Sequence, residues 1–83
     1  MWTGTQFTGT LAAGASARWS TYGWPVNWNV VWYVMPTTPN VGIPQLEWSV
    51  AVERADAANA TYWITVTNVS DAQVNFEGRF AVM

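Results

Sequence analysis

The chain contains no histidine and no cysteine, so the common pairings of nucleophile and general base cannot be built, nor can zinc sites of nitrogen and sulfur ligands. Carboxylates are what remain for acid and base work. Glu47 and Glu53 fall on one face of a predicted strand, and six residues of strand separate them by about 20 Å. A glycosidase pair spans only about 5 to 10 Å. Glu77 could approach either of them across a sheet, but on a flat exposed face it reads as a solvated side chain. Asp56 with Asn59, and Asn68 with Asp71, lack the ligand density of a calcium loop and read as turn residues. The expectation is a protein without catalysis, metal or cofactor.

Binding is better supplied. Trp63 stands outward on one predicted strand, and Asn75, Glu77 and Arg79 stand outward on the next. If those two strands pair, an indole is flanked by an amide, a carboxylate and a guanidinium fork. A neutral sugar asks for such a group, because its C–H face stacks on the ring while its hydroxyls take directional hydrogen bonds. The plainer reading is a cation–π pair in which Arg79 shields Trp63. A second set is Tyr22 and Trp24 on a turn, with Asn27 and Asn29 at the mouth of the following strand. Trp24, held extended beside Pro25, is the exposed candidate there, whereas Trp19 reads as a plug in the open end of a small core. The third set is Val31, Tyr33 and Met35, read either as a subunit interface or as residues covered by another part of the same chain. The triplets Asn59-Ala60-Thr61 and Asn68-Val69-Ser70 match the N-glycosylation pattern, a short signal that arises often by chance.

Composition narrows the partners. Three arginines, no lysine and a net charge of −2 leave no basic footprint for phosphates, which argues against nucleic acid. Charged residues make up 10% of the chain, against about 25% in ordinary soluble domains. The surface must therefore draw on Thr, Ser, Asn, Gln and exposed apolar groups, which suits neutral ligands or self-association. The longest apolar run, Val30 to Met35, is far below the roughly 18 residues of a membrane span. No secretory signal is visible in MWTGTQF, and the compartment stays open.

The elements that must position these groups are strands. WTGTQFTGTL has strand propensity with Phe7 and Leu11 as anchors, and AAGAS leads to a short strand over Ala17 to Thr21. Tyr22 to Pro25 reads as a turn. From Asn27 onward, period-two counting places Trp28, Val30, Trp32 and Val34 on the core face. Pro36 to Pro44 breaks regular structure. Leu46, Trp48, Val50 and Val52 point inward from the next strand, followed by Tyr62, Ile64 and Val66, then by Val74, Phe76, Gly78, Phe80 and Val82. Asn68 to Ala72 reads as a hairpin loop joining the last two strands. Six short strands without a helix predict one all-β domain over residues 1–83, a small antiparallel β-sandwich, with a small β-barrel as the alternative. The functional expectation is a lectin-like, self-associating module that binds a neutral carbohydrate. The alternative is a structural assembly subunit whose exposed aromatics form contacts between copies.

Overall fold

A computed structural model describes residues 1–83. Alternation of apolar and polar residues produces six strands and no helix: β1 (Trp2–Leu11), β2 (Ser16–Pro25), β3 (Val30–Pro36), β4 (Leu46–Arg54), β5 (Asn59–Asn68) and β6 (Val74–Val82). They form two three-stranded antiparallel sheets, ordered β1-β6-β3 and β2-β5-β4. No strand hydrogen-bonds across from one sheet to the other, so the fold is a sandwich and not a closed barrel.

Only β4 and β5 are both consecutive in sequence and paired, as a hairpin. The expected pairing of β5 with β6 is not made; β6 lies between β1 and β3 in the opposite sheet. Asn68 explains the crossing. Its side chain is fully buried, and Nδ2 donates to the carbonyls of Leu11 at 3.0 Å and Ala72 at 2.9 Å. Its Oδ1 accepts from the Ser70 amide and hydroxyl, while its backbone amide donates to Ala15 O and its carbonyl accepts from Gly14 N. Every polar group of Asn68 is thus satisfied inside the fold, tying the end of β5 to β1 and to the turn that leads into the other sheet. A residue read as a loop former is the pin between the two layers.

Two bulges correct the expected course of the first strands. In β2 the register shifts between Thr21 and Trp24, where Gly23 takes φ of 80°. The turn expected over Tyr22 to Pro25 is therefore one extra residue inside a continuing strand, placed at the residue type that adopts this conformation without a Cβ penalty. The inserted residue changes which side chains point inward, and Trp24, expected to be exposed, is buried at 7%. β1 has a matching shift between Thr5 and Phe7. The two irregularities meet at buried Thr21, whose hydroxyl oxygen accepts from Gln6 Nε2 and Trp24 Nε1.

Between the sheets lie Leu11, Trp24, Trp32, Val34, Tyr62, Ile64, Val66, Phe76 and Phe80. Glycine and phenylalanine alternate across the β1–β6 ladder as Gly4 with Phe80, Phe7 with Gly78 and Gly9 with Phe76. In each pair the ring occupies the volume a Cβ on the glycine would need. Phe7 continues into a stacked contact with Trp19 at 5.2 Å. Buried Trp32 Nε1 has no hydrogen-bond acceptor, and its ring packs among those of Trp24 and Tyr62, with centroids at 5.5 and 5.7 Å. The core-facing expectation for β4 holds for its first half. Val50 and Val52 have the expected parity but are 40% and 64% exposed, so the opposite sheet covers them only in part. Trp28, expected on the core face of β3, lies before that strand and is exposed.

Candidate functional site

The outer face of the β1-β6-β3 sheet is a grid of outward side chains from three strands. Thr3, Thr5, Thr8 and Thr10 come from β1, Ala81, Arg79, Glu77 and Asn75 from β6, and Val31, Tyr33 and Met35 from β3. Register aligns them in rows: Thr3, Ala81, Val31; then Thr5, Arg79, Tyr33; then Thr8, Glu77, Met35. Asn75 closes the face by accepting from the Thr10 hydroxyl at 2.8 Å. Strand alternation sets these threonines, the mixed polar side chains of β6 and the largely apolar side chains of β3 outward, with the inward partners of the same strands holding the core.

Two contacts orient the grid's central row. Glu77 Oε1 accepts from both Nε and Nη2 of Arg79, at 3.0 and 2.9 Å, a charge-assisted pair on a half-exposed surface. The remaining guanidinium hydrogens are left for an external acceptor. Tyr33 packs its ring against Trp48 of the other sheet at 5.1 Å and 70°, which holds it at the sheet edge while 48% of the residue stays exposed. Because Ala81 is small, the surface dips above it into a groove of about 420 Å³ walled by Thr3, Thr5, Val31, Tyr33 and Arg79.

Trp63 is not part of this face. It sits on the outer side of the other sheet, in register with Ser20 and Ala51, so the expected grouping with Asn75, Glu77 and Arg79 is divided between two layers. The cation–π partner is Arg18, 4.9 Å from the ring centroid, in place of Arg79. Trp63 Nε1 donates to Glu53 at 3.1 Å. A shallower groove of about 300 Å³ runs beside it, lined by Arg18, Ser49, Val50, Ala51, Trp63 and Thr65. No family model, curated protein or solved structure matches the chain.

Tyr22, Asn27 and Asn29 are exposed, as expected of the second set, but buried Trp24 cannot act as their platform. Trp2 and Trp28 take the surface instead, meeting edge to face at 5.9 Å. Trp2 also packs on Phe80, and Trp28 on Trp24, so both serve to close the end of the core. The sequence signal for Trp28 was its place between two asparagines, a polar setting that suits a loop better than a core strand.

Proposed function

We propose that this protein binds a neutral carbohydrate without catalysis, and that the site is the depression over Ala81. The row Thr5, Arg79, Tyr33 carries this reading. Tyr33 offers an aromatic surface for the C–H face of a sugar ring. Arg79, oriented by Glu77, offers parallel donors to neighbouring hydroxyls, and Thr3 and Thr5 can donate or accept on the opposite side. Six of the residues singled out in the sequence, Asn75, Glu77, Arg79, Val31, Tyr33 and Met35, lie together on this one face.

A glycan array with the purified protein tests the reading. Signal on neutral glycans should be lost in Tyr33→Ala and reduced in Arg79→Gln. A silent array would overturn it. The largely apolar outward side of β3 supports a second reading, because Val31 is 47% exposed and lies beside half-exposed Tyr33 in a chain with little charge. On that reading a second copy covers Val31, Tyr33 and Met35, and the protein is an assembly subunit. Tyr33→Ala would then lower the mass seen by light scattering and leave an array that was already silent.

A further inference from the structure

We infer that the free edge of β4 pairs with the β4 edge of a second copy, antiparallel and centred on Ala51, joining two three-stranded sheets into one of six strands. The four edge strands are protected unequally. β1 and β2 carry bulges, and β3 is seven residues long and ends at Pro36. β4 is nine residues long, has no proline and keeps an unbroken register. A long regular edge of this kind is a template for another strand. Beside it, Val50 and Val52 lie on the inner face and yet stay 40% and 64% exposed.

The backbone shows which residues would pair. Ala55 N donates to Asn59 O, and Val69 N donates to Gln45 O. These pairs flank the β4–β5 ladder in its own register, so odd-numbered residues of β4 direct their amides and carbonyls to β5. The groups of Leu46, Trp48, Val50, Val52 and Arg54 therefore face outward.

The three two-fold registers that overlap most of β4 centre on Ser49, Val50 and Ala51. Centring on Val50 sets Glu47 directly opposite Glu53 of the second copy, twice, at the close non-hydrogen-bonded positions where like charges are unfavourable. Centring on Ser49 brings Pro44 opposite Arg54, and proline has no amide to give it. Centring on Ala51 sets Val50 against Val52, Trp48 against Arg54 and Ser49 against Glu53, and forms about eight backbone hydrogen bonds. The two valines then cover one another, and the arginine meets an indole. Trp63 is in register with Ala51, so the dimer places both Trp63 residues in one row, about three strand spacings or 14 Å apart.

Cysteine substitution reads the register directly, since the natural chain has no thiol. Ala51→Cys places two sulfurs across the axis at a Cα separation of about 4.5 Å, within disulfide range. Under mild oxidation it should run as a covalent dimer on a non-reducing gel, while Val50→Cys remains a monomer. The unmodified protein should show twice the 9.2 kDa protomer mass by sedimentation equilibrium at sub-millimolar concentration, and should dissociate on dilution, as a contact this small predicts. Hydrogen exchange should show slowed amides at Val50 and Val52 at the high concentration only. A monomer throughout this range, equal exchange of those amides at both concentrations, or cross-linking of Val50→Cys in preference to Ala51→Cys would each overturn the proposal.

Discussion

Asn68→Ala tests whether one buried amide holds the two sheets in their order. The substitution removes four side-chain hydrogen bonds, two donated to Leu11 O and Ala72 O and two accepted from Ser70. Ala72 O keeps the Ser70 hydroxyl as a donor, whereas the Ser70 amide loses its acceptor and Leu11 O loses a donor. A buried group left unpaired costs about 1–3 kcal/mol, and water entering the space recovers part of that, so the net loss is about 3 kcal/mol. At about 0.05–0.15 kcal/mol per residue, a chain of this length has about 4–12 kcal/mol in total. The substitution should lower Tm by about 12–24 °C, at about 4–8 °C per kcal/mol. Thermal unfolding followed by circular dichroism measures this, and urea unfolding should show a lower midpoint with an unchanged slope. Asn68→Asp keeps the shape but presents a carboxylate to two carbonyls. Ionised, it should destabilise more than alanine does; protonated, it regains one donor, so this variant should gain stability as pH falls, over the range where a buried carboxyl titrates. An Asn68→Ala protein that melts within about 3 °C of the natural one, which is under 1 kcal/mol, would refute the reasoning.

Gly78→Ala should cost about 1–3 kcal/mol in thermal or urea unfolding, because a Cβ there enters the space of the Phe7 ring, which is itself stacked on Trp19. Gly23→Ala meets open space but must hold φ of 80°, a loss of about 1–2 kcal/mol from backbone strain alone. Asp56 carries the acid response of the β4–β5 turn. Its carboxylate accepts from the Ala58 amide and from the side chain and amide of Asn59, which hold its pKa below the ordinary value. A lowered folded-state pKa contributes stability that is complete above the unfolded-state value near about 4 and is lost as pH falls through the folded-state value. The protection of the Ala58 and Asn59 amides, measured as exchange relative to the intrinsic rate at each pH, should therefore fall in acid, and Asp56→Asn should remove that dependence.

Parity along a strand was legible because it depends on local alternation. Ile64, Val66, Phe76 and Phe80 are buried and Val31 and Tyr33 are exposed, as period two requires. Partner choice was not legible, because it is settled by contacts distant in sequence. The Asn68-Val69-Ser70-Asp71 run has the composition of a hairpin turn, and only the carbonyl of Leu11, 57 positions away, shows that it crosses between sheets. Trp63 was consequently assigned the wrong neighbours, while Asn75, Glu77 and Arg79, which share a strand with one another, stayed together. The bulge at Gly23 was hidden in a similar way. Tyr-Gly-Trp-Pro is turn chemistry in isolation, and the strand continues through it because Trp24 finds a buried hydroxyl at Thr21.

Each outer face holds an aromatic ring, an arginine and a glutamate, and the wiring decides which ring is available. On the β1-β6-β3 face the two charges bind each other, and Tyr33 is left half exposed. On the β2-β5-β4 face the arginine lies over the indole and the glutamate takes its N–H, so Trp63 is covered on one face and at its polar edge. An aromatic ring, an arginine and a glutamate thus build an open platform in one sheet and a shielded one in the other. Arg18→Ala separates these roles: it should uncover Trp63 and raise acrylamide quenching of tryptophan fluorescence, without loss of any signal that depends on Tyr33. Unchanged quenching would mean that the guanidinium does not shelter the indole in solution. The contrast between the two faces would then no longer favour Tyr33 over Trp63 as the sugar platform.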